Sequence, residues 1–304
     1  MDDVRKEDAV ARSARQGMVA MVAATLLLPV GDAISKILTG IVPPFEVTMW
    51  RTVMQAVFLI PVALVFRRQL TGSVLSWPAL ASGALISVVM FCLISAFQQM
   101  PIATAIAIFF VEPLLLTLLA GPLLNEVPGR RRLIAVGVGL IGALIVIRPN
   151  FSVFGPVALL PLGAALAFAL NMILLRSATR TRSALSVQLG ATIFAAAMLL
   201  AAHAGAGFFL EREGVSFIEA PEWAQLSVVA AGALAALSFV LITVAFSKAE
   251  AGLLAPFQYL EIVGATLVGY VIFGDLPDAM TWLGTGIILA SGLYVFHRER
   301  HAHD

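Results

Sequence analysis

Charged residues are scarce in this sequence. Only 12% of its 304 residues are Asp, Glu, Lys or Arg, 60% are hydrophobic, and the formal net charge is +1. Because soluble domains carry about 25% charged residues, the composition excludes water as the main solvent, and the small net charge excludes the basic surface that nucleic-acid binding needs. The single cysteine, Cys92, excludes an intrachain disulfide and a thiolate metal site.

Motifs for catalysis and for energy coupling are also missing. The sequence has no Walker-type phosphate loop, no His-Glu-x-x-His metalloprotease motif and no paired aspartate motif of the prenyltransferase type. We therefore predict no enzyme activity, no ATP-driven step, no cofactor and no resident metal. His297, His301 and His303 could hold an adventitious metal, but we interpret them as part of a solvated tail.

Long apolar runs take up most of the chain. An α-helix needs about 20 apolar residues to cross a bilayer, so the runs predict an all-α membrane protein with ten transmembrane helices. The apolar run after the charged N-terminus has no small-residue cleavage site, which favours a retained first helix over a signal peptide. The predicted spans are 18–38, 45–66, 79–98, 102–122, 133–147, 155–175, 183–202, 222–246, 253–273 and 279–297.

The distribution of Lys and Arg predicts how these helices are oriented. If the N-terminus is cytoplasmic, fifteen of the 19 basic residues fall on the cytoplasmic side, as the positive-inside rule requires. The exceptions are Lys36, Arg148 and Arg212 on the other side and Arg51 within a helix. Both termini are therefore predicted to be cytoplasmic, in a multi-pass protein of the cell inner membrane.

The chain contains an internal repeat. A gapless shift of 149 residues places Glu112 opposite Glu261 and aligns small residues such as Gly142 with Ser291, which predicts similar close helix packing in both halves. Five helices per half give the second copy the opposite orientation, so we predict two inverted five-helix repeats, 1–150 and 151–304. Such repeats can expose a central site alternately to each side; the alternative is a duplication kept only for packing.

Two groups of residues match sequence features of a known family. In the first group, Leu124-Asn125-Glu126 and Gly274-Asp275 occupy equivalent places in the two halves, with Asn125 where the family usually has glycine. The second group lies in the first two predicted helices and comprises Gly31, Lys36, Pro43-Pro44-Phe45 and Arg51. With these features the chain resembles the drug/metabolite transporter superfamily, specifically its ten-helix EamA-type members, over almost its whole length. The resemblance implies a transporter, and the YddG-like amino-acid exporters are the branch it suggests.

Glu112 and Glu261 are the leading candidates for a functional site. Each lies about 12 to 15 Å into its predicted helix, at 1.5 Å per residue, and a charged side chain at that depth normally faces a cavity or a partner. Pro113 should interrupt the helix beside Glu112 and free backbone groups. We predict that both glutamates line the cargo pathway and bind an ammonium group or exchange a proton; the alternative is a hydrogen-bonded latch between helices.

Aromatic and polar residues accompany Glu261. Gln258 stands one turn before it, on the same predicted helix face, and Tyr259 is adjacent. Together they would suit an amphipathic cargo, although core or lipid packing also explains the aromatic ring. In the first helix Asp32 and Lys36 share a stripe that we predict to face inward, where they could form an i,i+4 ion pair; Lys36 could instead reach water at the helix end.

Arg51 and Gln55 share a face of the second predicted helix. An arginine at this depth needs a partner, and two structural candidates are Asp32 and Glu46; the functional alternative is a carboxylate on the cargo. Gln188 on the seventh helix is a further pathway candidate, with a packing hydrogen bond as its alternative.

These features predict a secondary transporter or facilitator for small amphipathic metabolites. Export of amino acids, including aromatic ones, is the specific hypothesis, and the alternative is another solute such as a nucleotide-type metabolite or a cationic drug. The partners expected are a small-molecule substrate and the lipid bilayer, with proton coupling through the glutamates. A membrane-embedded enzyme and a non-transporting sensor are the competing classes.

Overall fold

The described part of the protein is built from α-helices. The computed structural model describes residues 2–124, 129–206, 215–249 and 251–300, and those residues contain twelve α-helices. Their bounds are α1 Asp2–Leu38, α2 Pro44–Val65, α3 Trp77–Gln99, α4 Ile102–Phe109, α5 Glu112–Leu124, α6 Arg130–Phe154, α7 Leu160–Ala178, α8 Ala184–Ala206, α9 Glu222–Lys248, α10 Ala251–Gln258, α11 Leu260–Val268 and α12 Ala279–Arg300.

Several helices are long and apolar enough to cross a membrane. Among the described residues there are eight such spans, and the longest, Leu133–Ala178, comprises α6 from its fourth residue onward and the whole of α7. The apolar part of α12, Ala279–Val295, is shorter than the others. The protein is therefore a multi-pass membrane protein, as its composition predicts.

The fifth predicted helix, 133–147, is wrong in length. In the structure α6 begins at Arg130 and ends at Phe154, because neither Arg148 nor Pro149 stops it. The helix ends where Gly155 adopts a φ of 62°, a left-handed conformation that glycine adopts without steric cost.

The fourth and ninth predicted helices are each interrupted. The first interruption lies at 110–111, between α4 and α5, and Pro113 explains it because proline lacks an N–H and its ring clashes with the carbonyl group four residues earlier. The second interruption lies at Tyr259, between α10 and α11. No proline follows Tyr259 within α11, so the local sequence does not explain this second break.

The helices pack in a pattern that is preserved when the two halves are exchanged. Helix α1 packs on α9 while α7 packs on α3, and α2 packs on α9 while α3 packs on α8. Helix α6 packs on α12, its own equivalent in the other half. Each pair maps onto the other under exchange of the halves, which indicates a pseudo-two-fold relation between them.

Individual contacts between α6 and α12 follow the same relation. A Cβ added at Gly284 would lie 2.6 Å from the carbonyl oxygen of Gly142, so these backbones touch. The Ser291 hydroxyl donates a hydrogen bond to the carbonyl oxygen of Ala135. The 149-residue shift converts the first contact into the second, and both depend on the small residues from which close packing was predicted.

Segments predicted to lie on the same side of the membrane contact one another. At one end of the molecule, here called the Lys36 end, the Lys36 ammonium group donates to Asp275 at 2.9 Å and to the Met100 carbonyl oxygen at 3.1 Å. At the other, the Lys248 end, the Ser13 hydroxyl donates to the carbonyl oxygen of Lys248 at 3.1 Å. The core of the molecule lies between these two ends.

Candidate functional site

The two repeat-equivalent glutamates occupy matching places in the structure. Glu112 is the first residue of α5 and Glu261 is the second residue of α11, so each follows a helix break. The first turn of a helix leaves backbone N–H groups without intrahelical partners. Both half-buried carboxyl groups therefore stand at the start of a half-helix, where the backbone adds a partial positive charge.

The two helix breaks meet through aromatic rings. The rings of Phe110 and Tyr259 lie 5.3 Å apart between centroids, and Glu112 is close enough to Tyr259 to interact with it electrostatically. Phe109 extends the cluster to Phe168 on α7, at 5.6 Å. Sequence reasoning missed Phe110, although its position two residues before an intramembrane glutamate was a usable signal.

Arg51 has a structural partner within the protein. Its Nη1 lies 3.3 Å from Oδ1 of Asp32, and the two residues are only 6% and 8% exposed. Asp32 is thus the partner that the sequence offered, whereas Glu46, the other candidate, accepts a hydrogen bond from the backbone N–H of Phe217 at 2.7 Å. The Nε of Arg51 is buried and has no hydrogen-bond partner among the described residues.

Glu261 lies beside this ion pair. Helix α11 packs on α1, and Glu261 and Asp32 are close enough to interact electrostatically. The carboxyl group that pairs with Arg51 therefore has a second carboxyl group beside it. Through Tyr259, two residues before Glu261, this cluster continues to the aromatic cluster and to Glu112.

Lys36 does not pair with Asp32, so the predicted i,i+4 ion pair is wrong. Its ammonium group pairs instead with Asp275, which follows α11 in the second half of the chain, and it also lies 4.7 Å above the centroid of the Phe273 ring. Asp32 points its carboxylate to Arg51 instead. The reason is geometric, since α1 ends beside the turn that follows α11 and thus offers Lys36 a partner distant in sequence.

The three glutamines are not brought into the cluster by any described contact. Gln258 is exposed and ends α10, so the break at Tyr259 interrupts the helix face that it was predicted to share with Glu261. Gln55 and Gln188 are half-buried on α2 and α8, and the carbonyl oxygen of Gln188 accepts a hydrogen bond from Thr192. Their predicted place in the cargo pathway stays a prediction.

Some sequence predictions lie outside the described residues. These are the turn at Asn125 and Glu126, the external Arg212 and the side chains of the histidine tail. Within the described ranges, no group of three or more His, Cys, Asp or Glu side chains could hold a metal ion. The candidate site is therefore built from carboxyl groups, one guanidinium group and aromatic rings.

Comparison with known proteins gives two matches to one family. The family described as "EamA-like transporter family" matches residues 15–148 and again residues 155–296. The two matches cover most of the chain and divide it close to the boundary between the predicted repeats.

Curated relatives carry transporter names. An S-adenosylmethionine uptake transporter of Rickettsia bellii is 27% identical over 272 residues, which cover 89% of this chain and 90% of the relative. A riboflavin transporter of Rhizobium johnstonii is 28% identical over 207 residues, 68% of this chain and 65% of that protein. A riboflavin transporter of Vibrio cholerae is 29% identical over 208 residues, 66% of this chain and 64% of that protein.

A protein of known crystal structure has the same fold as this chain. It superimposes with a TM-score of 0.63 over 95% of this chain and 99% of the other, at 21% sequence identity. At that identity the likeness speaks for the fold alone.

Proposed function

This chain belongs to the EamA-like transporter family and is a membrane transporter of small molecules rather than an enzyme, and we propose that its cargo is a cationic metabolite with a heteroaromatic ring, S-adenosylmethionine above others. The observation that carries the proposal is the similarity to S-adenosylmethionine uptake transporters over 89% of the chain. Amino-acid export, and the YddG-like branch with it, has no support among these relatives. The nucleotide-type alternative predicted from the sequence is compatible with them.

The chemistry of the candidate site supports a cargo of this kind. Phe110 and Tyr259 offer aromatic faces on which an adenine ring can stack, and an aromatic face also attracts a cation such as a sulfonium. Glu112, beside Tyr259, supplies an acceptor for positive charge. A flat ring and a positive charge thus find complementary groups in one place.

Riboflavin is the second candidate cargo. Relatives named as riboflavin transporters match about two thirds of this chain, and the aromatic cluster would suit a flavin ring as well. A neutral flavin, however, adds no cation to the carboxyl groups of Glu112, Glu261 and Asp32, for which the described residues provide one ion-pair partner, Arg51. The surplus of carboxyl groups is why we favour the cationic cargo.

The proposed topology has ten membrane crossings. The stretch Leu133–Ala178 has 46 residues, about 69 Å of helix at 1.5 Å per residue, so it is long enough to cross a hydrocarbon core of about 30 Å twice. Counting Ala279–Val295 as the last crossing brings the eight spans to ten. The basic residues then place both termini in the cytoplasm, and the membrane would be the cell inner membrane.

The proposed mechanism is alternating access between two inverted repeats, 1–150 and 151–304. The exchange symmetry of the helix packing supports it, because two similar halves can swap conformations around a central site. The contacts at the Lys36 end and at the Lys248 end would then break in turn. The two helix breaks lie between these ends, where a cargo site has to be.

Uptake into proteoliposomes tests the proposal. Vesicles that contain the purified protein should accumulate labelled S-adenosylmethionine faster than empty vesicles, and unlabelled riboflavin or aromatic amino acids should compete weakly. A pH gradient across the same vesicles tests the predicted proton coupling. No uptake above empty vesicles in either orientation would refute S-adenosylmethionine as cargo.

Two substitutions test the role of the glutamates. Glu112→Gln and Glu261→Gln keep the size of the side chain and remove its charge, so each should reduce uptake by about tenfold or more, the effect of losing a hydrogen bond to a charged group. The matched control is Glu222→Gln, because Glu222 is exposed at the start of α9. Wild-type uptake in both test variants would remove the glutamates from the pathway.

A further inference from the structure

Arg51 has more hydrogen-bond donors than the described residues satisfy. A guanidinium group carries five N–H donors, and the structure gives it one ion-pair contact, 3.3 Å from Nη1 to Asp32. Its Nε has no hydrogen-bond partner among the residues that the structure describes, although Arg51 is only 6% exposed. An arginine kept only for an internal ion pair usually forms two parallel hydrogen bonds with its carboxylate, so the single contact leaves binding capacity unused.

Gly31 of α1 faces the guanidinium group of Arg51. Nη2 lies beside Gly31, where an added Cβ would come within 3.5 Å of it. Any residue other than glycine would place that carbon in van der Waals contact with Nη2. Glycine at position 31 therefore leaves Nη2 without a side-chain contact from that position.

The charges around Arg51 do not balance. Asp32 on α1 pairs with Arg51, and Glu261 on α11 lies close enough to Asp32 to interact with it electrostatically, so the three residues carry one carboxyl group in excess when all are ionised. The charged side chains where α1 ends and α2 begins do not correct this, since Lys36 pairs with Asp275 and Glu46 accepts the N–H of Phe217. A ligand that complements the cluster must bring an acceptor for Arg51 and a cation for the extra carboxyl group.

We infer that Arg51, Asp32 and Glu261 form a subsite for an amino-acid headgroup, in which Arg51 binds the α-carboxylate and the two acidic side chains bind the α-ammonium group. The inference rests on the proposed function, because the subsite belongs to the same cargo site. A headgroup supplies both missing charges on adjacent atoms, and bidentate binding of a carboxylate is the geometry that guanidinium favours. The rest of the cargo would then extend past Glu261 toward Tyr259, Phe110 and Glu112.

Competition among cargo analogues tests the subsite. S-adenosylhomocysteine keeps the headgroup, decarboxylated S-adenosylmethionine loses only the carboxylate, and methylthioadenosine loses the headgroup entirely. Against labelled S-adenosylmethionine in wild-type proteoliposomes, decarboxylated S-adenosylmethionine should compete about tenfold or more weakly than unlabelled S-adenosylmethionine, the effect expected when a charged hydrogen-bond partner is lost. S-adenosylhomocysteine should compete better than methylthioadenosine. Equal competition with and without the carboxylate would overturn the inference.

Substitution of Arg51 separates recognition from stability. Arg51→Gln should abolish the discrimination between the carboxylated and decarboxylated ligands, while Arg148→Gln, at an exposed arginine of α6, should preserve it. If Arg51→Gln alone does not fold, the double variant Asp32→Asn with Arg51→Gln removes both charges and is measured in its place. Discrimination that survives in the folded variant would contradict the inference, since a purely structural arginine would leave ligand ratios unchanged.

The inference can fail independently of the proposed cargo. If no S-adenosylmethionine is transported, thermal stabilisation of the detergent-solubilised protein by L-methionine is compared with stabilisation by 3-methylthiopropylamine, the same molecule without the carboxylate. Stronger stabilisation by methionine, lost in Arg51→Gln, would support the headgroup subsite while the cargo proposal fails. Equal or absent stabilisation by both ligands would overturn the subsite as well.

Discussion

Replacement of Lys36 by methionine should open one end of the protein. The Lys36 ammonium group connects α1 to two other segments. It contacts Asp275 and the ring of Phe273, both after α11, and the carbonyl oxygen of Met100 at the end of α3. A carrier that opens this end has to separate these elements. The contacts of Lys36 therefore stabilise the closed state of the Lys36 end and not the open one.

The size of the effect follows from the contacts that are lost. A hydrogen bond to a charged group contributes about 1.5 to 3 kcal/mol, and methionine retains an apolar stem of similar length but no charge. The Asp275 side chain is 31% exposed, so water replaces part of what is lost and the lower value applies, about 1.5 kcal/mol. That energy corresponds to a shift of about tenfold toward the open state.

Cysteine accessibility measures this shift. With Cys92→Ala as background, Val42→Cys places a thiol in the loop between α1 and α2, where Val42 is 1% exposed. Lys36→Met should raise its labelling rate by a membrane-impermeant maleimide about tenfold, in proportion to the open population. Ala20→Cys, buried in the cluster at the Lys248 end, is the matched control and should label no faster.

Two results would refute this reasoning. Unchanged labelling of Val42→Cys would show that the ammonium group does not hold the end closed. Faster labelling of both cysteines would show general loosening of the fold instead of opening at one end. Asp275→Asn should reproduce part of the effect, and the double variant should exceed Lys36→Met by little, because both substitutions break the same contact.

Two further predictions concern stability, measured as unfolding in detergent by denaturant or heat. Asp32→Asn should destabilise the fold by about 3 to 5 kcal/mol, because it leaves the Arg51 charge buried and unpaired. Adding Arg51→Gln should restore most of that loss, and a double variant no more stable than Asp32→Asn would contradict this. Gly190→Ala should destabilise the fold by about 1 to 3 kcal/mol through overpacking, because the added Cβ would clash with the carbonyl oxygen of Val74. Gly163→Ala is the control and should be nearly neutral, since its Cβ would meet only the Cys92 sulfur at 3.9 Å. Equal effects of the two substitutions would mean that helix propensity and not packing decides.

Most of the membrane spans could be predicted from the sequence because apolarity is local. The structural bounds of α2, α3 and α9 lie within two residues of the predicted spans. The partner of Arg51 was also within reach, since a buried arginine demands a carboxylate and Asp32 was one of two candidates. This prediction was possible because a buried guanidinium group requires a carboxylate partner and the sequence offered only two candidates.

The interruptions and the end contacts were harder to predict. Pro113 predicted the helix break at 110–111, but no proline predicts the break at Tyr259. That second break separates Gln258 from Glu261. Lys36 pairs with Asp275, 239 residues later, whereas a partner four residues away looked sufficient. Such contacts depend on which helix ends meet, which no local pattern encodes.

By itself the sequence determined that this chain is helical, lies in a membrane, consists of two related halves and carries Glu112 and Glu261 in equivalent places. These conclusions depend on transfer of apolar side chains out of water and on residue spacing, which are properties of short segments. Only the tertiary structure decided that both glutamates begin half-helices, that Phe110 and Tyr259 join the two breaks, and that Asp32, the partner of Arg51, lies beside Glu261. Those features depend on the packing of helices far apart in the chain, so their free energy belongs to the assembled bundle and to no single segment.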